Sequence, residues 1–227
     1  MDPTDPAYPG QKHYSPAFLK IYDLLVLGIF GPLVWRCPTA LLTEQYTRHV
    51  GRRHMDVGPG TGYFLQHAQL AGDTVVVLVD PNSNVLAHAS RRLSQLNVSV
   101  LRADVLKPLP LAGQRFDSIA LNYVLHCLPG PMSRRAVAIR NLAAVLGPIG
   151  VLFGATLLGT PGLHTWLSRA ALRQNNRLGF FDNISDTEDG LRQILSEAFE
   201  VVDIEIVGSV AVFSAANPLR PRLPETG

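Results

Sequence analysis

Between residues 52 and 214 the chain alternates short β-rich runs with segments of helical periodicity. The runs are nearly continuous in Val, Ile and Leu where they are longest, and they occupy residues 54–57, 74–79, 98–102, 116–121 and 149–156. Helical patterns lie between them at residues 63–70, 83–96 and 133–146. Such alternation is typical of a parallel sheet that is covered by helices on both faces, so that its strands are buried on both sides. The sequence therefore predicts an α/β fold.

The two ends of the chain depart from this alternation. Residues 199–207 and 210–215 form two strand patterns separated only by Gly208 and Ser209, which is too short for a helical crossover. They predict a hairpin that adds one antiparallel strand to the sheet. Before the first strand, residues 15–29 and 38–50 have the pattern of two helices outside the sheet, which we expect to form a lid.

These patterns divide the chain into three parts. Residues 1–51 are an N-terminal extension with the lid helices, and residues 52–216 form the main domain, with an insert at 157–186. Long connections of this kind tend to carry function. We expect residues 217–227 to be a disordered tail. Its last five residues, LPETG, resemble a sortase sorting signal, and we interpret them as an engineered tag or a chance tail.

Composition limits the partners and the cellular location. Only 17% of the 227 residues are charged and the formal net charge is +2, so we expect no nucleic-acid partner. The apolar stretches at 24–35 and 141–162 are interrupted by Gly and Pro, and we expect no membrane partner. Cys37 and Cys127 lack disulfide-framework or zinc-site spacing, which predicts no metal and a cytoplasmic protein. The sequence leaves the oligomeric state open.

A glycine-rich segment follows the first strand pattern and precedes a helix. Gly58, Gly60 and Gly62 stand at alternate positions, where glycine permits positive φ and a close approach of backbone to a ligand. The dinucleotide fingerprint GxGxxG would require glycine at position 63, which is Tyr63, so an NAD site is not predicted. Asp56 precedes the glycines, and a carboxylate there suits a cationic ligand group better than a pyrophosphate.

Two further acidic residues follow the next two strand patterns. Asp80 closes the second strand, the place where an α/β sheet offers a carboxylate to ribose hydroxyls. Asp104 follows the third strand, where a carboxylate can accept a hydrogen bond from an exocyclic amine such as that of adenine. Three acidic residues at successive strand ends predict a site for a nucleoside that carries no phosphate group.

These motifs together resemble class I S-adenosylmethionine-dependent methyltransferases of the small-molecule type. The resemblance rests on the DxGxGxG order at 56–62, the strand ending in Asp80 and the Ala-Asp-Val segment at 103–105, and it covers about residues 52–214. It implies a Rossmann-like, seven-stranded, mostly parallel sheet with a C-terminal antiparallel hairpin and helices on both faces. It also implies S-adenosylmethionine as the cofactor.

The resemblance assigns roles to individual residues. The three glycines would shape the loop around the methionine moiety, and the acidic residues would bind its amino end, the ribose and the adenine amine. The residues that it implies for the cofactor are Asp56, Gly58, Gly60, Gly62, Asp80, Pro81, Asp104, Val105 and Asn122. Tyr22 is a further cofactor candidate, because its hydroxyl or ring could close over the carboxylate or the sulfonium, although packing is an equal alternative.

His126 is the candidate catalytic residue. It lies just past the fourth strand, and an imidazole there could take a proton from an attacking hydroxyl or amine. The alternative is a histidine that packs or caps the next helix, because methyl transfer from a sulfonium needs only positioning. His13, Tyr14 and Trp166 are candidates for substrate contact, each with a structural alternative.

The sequence therefore predicts an enzyme that moves a methyl group from S-adenosylmethionine to an O, N or C nucleophile of a small molecule. The scarcity of charge and the lid favour an acceptor that is largely apolar or aromatic. Two alternatives stay open at this point: a methyltransferase fold with a cyclising or eliminating activity, and a regulatory protein that binds the cofactor.

Overall fold

The computed structural model describes residues 23–111 and 113–219. The described part begins with a π-helix (Asp23–Val34) and α1 (Thr39–His49). The sheet and its helices follow in the order β1 (Arg53–Val57), α2 (Tyr63–His67), β2 (Val75–Val79), α3 (Ser83–Arg92), β3 (Asn97–Leu101), β4 (Phe116–Asn122), α4 (Met132–Ala143), β5 (Leu146–Leu157), α5 (Trp166–Arg177), α6 (Glu188–Ser196), β6 (Phe199–Val207) and β7 (Val210–Pro218). Short 3-10 helices lie at Leu125–Cys127 and Pro161–Leu163.

The seven strands form one sheet in the order β3-β2-β1-β4-β5-β7-β6. Strands β1 to β5 run parallel to one another, while β7 runs antiparallel to both β5 and β6. The predicted α/β class, the mostly parallel sheet and the C-terminal hairpin are thus confirmed. Because strand order reverses beside β1, the carboxyl ends of β1 and β4 flank the crevice where open α/β sheets bind ligands.

Side chains of each strand alternate between two apolar layers. Met55 and Val57 of β1 pack into the layer that α4 and α6 cover, whereas His54 and Asp56 point to the opposite side. That opposite layer is covered by the π-helix, α1, α2, α3 and α5. Helices therefore cover both faces, as the alternation of patterns predicts. The same alternation along β4 places the side chain of Asn122 on the side of the sheet that α1 covers.

Of the two helices predicted before the first strand, the second is confirmed and the first differs from the prediction. The predicted helix at 38–50 is α1. The first pattern, predicted at 15–29, lies partly outside the described residues, and from Asp23 onward the chain forms a π-helix that runs on to Val34. It continues past Gly31 and through Pro32, which cannot donate to the Leu27 carbonyl five residues earlier, and that carbonyl accepts from the Thr39 hydroxyl instead. Helix α6 is an element for which we made no prediction.

The insert is held against the sheet by buried polar contacts. Asn183 donates to the Leu157 backbone carbonyl at 2.9 Å and exchanges side-chain and backbone hydrogen bonds with Asn176. Phe181 packs edge-on against His126, with ring centres 4.6 Å apart, and against Trp35 at 6.3 Å. These contacts place the insert beside the loop that follows β4. None of the helices within residues 23–111 and 113–219 has the length and apolar character needed to cross a membrane.

Candidate functional site

A cavity lies at the carboxyl ends of β1 and β4, in the crevice that the strand order predicts. It is partly open to solvent, and the space between its lining atoms, including the solvent at its mouth, is about 350 Å³. The loop after β1 forms its floor, and α1, α2 and the π-helix contribute its walls. Its lining residues are Leu27, Tyr46, Gly58, Pro59, Gly60, Thr61, Tyr63, Phe64, Asn122 and Tyr123. The structure thus brings Gly58, Gly60 and Asn122 together, three of the residues assigned to the cofactor from the sequence.

The glycine loop has the backbone conformation that its sequence predicts. Gly58, Gly60 and Gly62 all have positive φ, at 64°, 56° and 79°. A Cβ atom on Gly58 would lie only 2.5 Å from Cγ2 of Val124, so the loop after β1 packs directly on the residues that follow β4. The Gly58 N–H donates to the Val79 carbonyl at 2.8 Å, which fixes the loop to the end of β2. All three positions favour glycine because φ is positive there, and at Gly58 there is also no room for a Cβ atom.

Asp56 lies below this loop and is almost completely removed from solvent. The Tyr46 hydroxyl donates to its carboxylate, 3.1 Å from Oδ1 and 3.2 Å from Oδ2. Burial raises the pKa of Asp56 to about 8, and the Tyr46 hydrogen bond opposes part of that rise. Burial, followed by the charge of Asp56, raises the pKa of Tyr46 well above its ordinary value. The sequence analysis did not identify Tyr46 as a site residue.

The Asn122 amide lies at the same end of the cavity. It is 7% exposed, and neither its Nδ2 nor its Oδ1 has a hydrogen-bond partner among the residues of the described chain. The amide is near enough to the Tyr46 hydroxyl to oppose part of the rise in the pKa of that hydroxyl. A buried amide with a free donor and a free acceptor is costly unless a ligand or water satisfies it.

Asp80 and Asp104 follow the two strands beyond β1, as predicted. The Asp80 carboxylate accepts from the Asn82 N–H at 2.7 Å, and burial raises the pKa of Asp80 to about 7. The Asp104 carboxylate accepts from the Leu106 N–H at 2.9 Å, so local turns fix both carboxylates. Val105 is buried, and Pro81 is half-buried with its carbonyl bonded to Arg102. These four residues are not among those that line the cavity described above.

His126 is held in a fully buried network. Its Nδ1 accepts from the Leu157 N–H at 3.3 Å and lies 3.3 Å from the Thr156 hydroxyl, so the proton of the neutral ring is on Nε2. Burial, with a smaller contribution from Arg135, lowers the pKa of His126 to about 3. The lone pair that a base would need is already accepting a backbone hydrogen bond. These contacts support the packing alternative for His126.

The remaining predicted substrate residues are not assembled into this site. Trp166 begins α5 and is 81% exposed, and it does not line the cavity. His13, Tyr14 and Tyr22 lie outside the described residues. Instead the described structure adds Leu27, Tyr63, Phe64 and Tyr123, whose side chains give the cavity apolar and aromatic surface beside the polar Thr61 and Asn122.

Sequence reasoning missed these residues because their place depends on how helices dock. The spacing of Leu42 and Tyr46 on one face of α1 predicts a buried stripe, but it does not say which strand the stripe faces. Tyr123 carries one usable signal, because it lies two residues after the predicted strand at 116–121 and directly follows the observed end of β4. Its φ of 57° places this tyrosine in the left-handed region, a strained conformation typical of functional sites.

Comparison with known proteins gives a consistent result. A family model described as a methyltransferase domain matches residues 55–154. The chain is 38% identical to a demethylluteothin O-methyltransferase of Streptomyces thioluteus over 207 residues, which cover 91% of this chain and 90% of that protein. It is 35% identical to a physcion biosynthesis cluster O-methyltransferase of Aspergillus chevalieri, over 96% of this chain and 99% of that protein.

Solved structures agree at the level of the fold. The N-methyltransferase NodS from Bradyrhizobium japonicum, in complex with S-adenosyl-L-homocysteine, superposes with a TM-score of 0.57 at 19% identity. The match covers 80% of this chain and 85% of that chain.

Proposed function

Because the chain belongs to the class I S-adenosylmethionine-dependent methyltransferases, we propose that it methylates a hydroxyl oxygen of a small, largely apolar or aromatic molecule. One observation carries the choice of a small apolar acceptor: beside the glycine loop, Thr61 and Asn122, the cavity is lined by aromatic and aliphatic side chains, and by no Asp, Glu, Lys or Arg among the described residues. The two O-methyltransferase relatives support oxygen as the nucleophile.

The residues present fit the cofactor. The glycine loop leaves a backbone surface on which a ligand can lie, since Cβ atoms are absent at Gly58, Gly60 and Gly62. The Asn122 amide offers one unsatisfied donor and one unsatisfied acceptor. Within our proposal, Asp56 and the glycine loop serve the methionine end, Asp80 binds the ribose hydroxyls, and Pro81, Asp104 and Val105 form the adenine side.

S-adenosylmethionine, when bound, supplies a methyl group on a positively charged sulfur that an incoming nucleophile displaces in line. The protein therefore needs to hold the acceptor oxygen opposite the sulfur and to exclude water. Leu27 from the π-helix closes the outer side of the cavity, and Tyr63, Phe64 and Tyr123 provide surfaces for a flat acceptor. Because Nδ1 of His126 is engaged by Leu157, we propose that positioning, not proton removal by His126, is the main contribution of this chain.

The test is incubation of the protein with methyl-labelled S-adenosylmethionine and four acceptors: demethylluteothin, simple phenols, matched anilines and duplex DNA. We expect label in the hydroxyl compounds, as a methyl ether identified by mass spectrometry. Asp80→Ala should reduce that labelling, whereas Asp73→Ala, at an exposed ion pair with Arg52, should not. Label confined to the anilines or DNA would contradict the proposal.

A further inference from the structure

Tyr46 reaches the cavity from outside the segment that defines the family. It belongs to α1, whereas the family model begins at residue 55. Its ring is 1% exposed, stacks on Phe64 with centres 5.3 Å apart and meets Phe153 edge-on at 5.2 Å. These ring contacts fix the position of the hydroxyl group without using it. The hydroxyl hydrogen is donated to Asp56, and the tyrosine oxygen can still accept a hydrogen bond at the cavity wall.

Tyr46 stands between Asp56 and the cavity. The cavity is lined by Tyr46 and Asn122, but Asp56 is not among the lining residues and is 2% exposed. Both carboxylate oxygens of Asp56 are within 3.2 Å of the Tyr46 hydroxyl oxygen. A ligand in the cavity would consequently meet the tyrosine oxygen and the asparagine amide before it met the carboxylate.

The free hydrogen-bonding groups at this end define a ligand chemistry. The Asn122 amide makes no hydrogen bond of good geometry within the described chain, apart from a weaker contact with the Tyr46 hydroxyl that lowers the pKa of that hydroxyl, so it keeps a donor and an acceptor for a ligand. A tyrosine hydroxyl that donates to a carboxylate directs its lone pairs away from it and becomes a stronger acceptor. Two acceptors and one donor match the zwitterionic end of an amino acid, whose ammonium donates and whose carboxylate accepts.

We propose that the Tyr46 oxygen accepts a hydrogen bond from the ammonium group of the methyl donor, and that Asp56 acts through Tyr46 as a positioning residue. This inference goes beyond the proposed function, because it concerns the donor and does not depend on the acceptor. It also differs from the expectation from the sequence, which placed Asp56 itself beside the amino group.

Protonation of Asp56 controls the polarity that Tyr46 presents. With Asp56 ionised, the tyrosine hydrogen points to the carboxylate and the oxygen lone pairs face the cavity. With Asp56 protonated, the carboxyl group can donate to the tyrosine oxygen, and the tyrosine hydrogen then points toward the ammonium and opposes binding. Burial raises the pKa of Asp56 to about 8, so ligand binding below that pH should release a proton from Asp56 to the buffer.

Other titratable groups packed around Asp56 must be separated from this effect. His54, two residues earlier on β1, has its pKa lowered to about 3 by burial and stays neutral. The pKa of Tyr46 itself is raised, so the phenol does not ionise near neutral pH. Asp80, at the end of the neighbouring strand, has its pKa raised to about 7 and titrates in the same range. Asp80 and the amine of the ligand titrate both in the wild type and in Tyr46→Phe. The difference between the two proteins in the pH dependence of ligand affinity therefore reports the Tyr46–Asp56 pair.

The test is calorimetric binding of S-adenosylhomocysteine from pH 6 to 9, in two buffers of different ionisation enthalpy. For the wild type we expect affinity to rise with pH up to about 8, with proton release. Tyr46→Phe should bind about 10- to 100-fold more weakly at pH 7, the loss typical of a hydrogen bond to a charged group. The pH dependence of its affinity should be weaker than that of the wild type, because Asp56 then has no hydroxyl through which it can act on the ligand. Asp56→Asn should lose the pH dependence that belongs to this pair.

Two controls separate contact from a structural role. Thr43→Ala, one turn earlier on α1, removes a hydroxyl that bonds only within its own helix and should bind as the wild type does. The ligand 5′-methylthioadenosine has no amino-acid end and should bind the wild type and Tyr46→Phe equally. An equal loss for both ligands, or an unchanged pH profile for S-adenosylhomocysteine, would overturn the proposal. Should Tyr46→Phe fail to fold, the wild type and Asp56→Asn still decide the matter: the wild type should release more protons with S-adenosylhomocysteine than with 5′-methylthioadenosine, which shares the ribose at Asp80, and Asp56→Asn should abolish that excess.

Discussion

The Arg135 guanidinium donates to the Asp186 carboxylate, and both side chains are removed from solvent, at 0% and 1% exposure. Further hydrogen bonds run from the guanidinium to the Leu128, Gly130 and Asp182 carbonyls. Burial raises the pKa of Asp186 to about 6 although Arg135 opposes the rise. This pair joins α4 and the loop after β4 to the insert, and thereby holds the insert beside the site.

Removal of one member of this pair should destabilise the fold strongly. Arg135→Met leaves a buried carboxylate without its partner, so we expect the free energy of unfolding in urea to fall by about 3–5 kcal/mol. Arg135→Met combined with Asp186→Leu should recover part of that loss. As a matched control, Arg192→Met breaks the exposed pair with Glu188 and should change stability by under about 1 kcal/mol. Equal effects of the two single variants would contradict this prediction.

Gly58 should be required for both cofactor binding and stability. Gly58→Ala places a side chain at positive φ and 2.5 Å from Val124, so we expect at least about 1–3 kcal/mol of destabilisation and loss of measurable S-adenosylhomocysteine binding. Gly113→Ala also has positive φ, but no described atom lies within 4 Å of the added Cβ. Its cost should be conformational only, with cofactor affinity preserved. Calorimetry and urea unfolding on both variants check the prediction, and unimpaired binding by Gly58→Ala would refute it.

Asp80 should contribute to cofactor affinity through charge. Asp80→Asn can retain the acceptor for the Asn82 N–H, so the local turn should persist while the carboxylate for the ribose is lost. We expect affinity for S-adenosylhomocysteine to fall about 10- to 100-fold. Asp73→Asn removes an exposed carboxylate paired with Arg52 and serves as the control. If both variants bind alike, the ribose assignment fails.

His126 should tolerate a substitution that keeps its acceptor. In His126→Asn the side-chain oxygen can take the place of Nδ1 and accept from the Leu157 N–H. We expect kcat with a methylated hydroxyl compound to stay within about threefold of the wild type, whereas loss of a general base would lower it by about 100-fold or more. A decrease of that size in stably folded His126→Asn would restore the catalytic role.

The same variant should change how stability depends on pH. The pKa of His126 is lowered from 6.5 to about 3. Between these pH values the imidazole is therefore protonated in the unfolded chain and neutral in the native protein. The wild type should therefore lose about 1.4 kcal/mol per pH unit as the pH falls below 6.5, relative to His126→Asn. The gap between the two unfolding free energies, measured at pH 7.5 and pH 5, should shift by about 2 kcal/mol. Parallel pH curves would show that the native ring has the same pKa as in the unfolded chain and would contradict this prediction.

Much of the fold follows from local pattern. The predicted strand at 199–207 matches β6 at both ends, because its turn is set by two adjacent residues, Gly208 and Ser209. The predicted helix at 83–96 ends early, at Arg92, where the chain must turn into β3. The predicted helix at 133–146 likewise ends at Ala143, because Leu146 is already paired with Phe116 in the sheet. Strand pairing is a long-range interaction, and it overrides local helical preference at such boundaries.

By itself the sequence determined the α/β sheet, the glycine loop and the acidic residues at the strand ends. These depend on short continuous apolar runs that alternate with helical patterns, and on the conformations open to glycine, both of which are local. Only the tertiary structure decided that α1 docks with Tyr46 over Asp56, and that the lone pair of His126 accepts from Leu157. Both contacts join elements whose relative placement is set by packing across the whole sheet. No spacing of residues along the chain encodes the face of the sheet against which a helix packs.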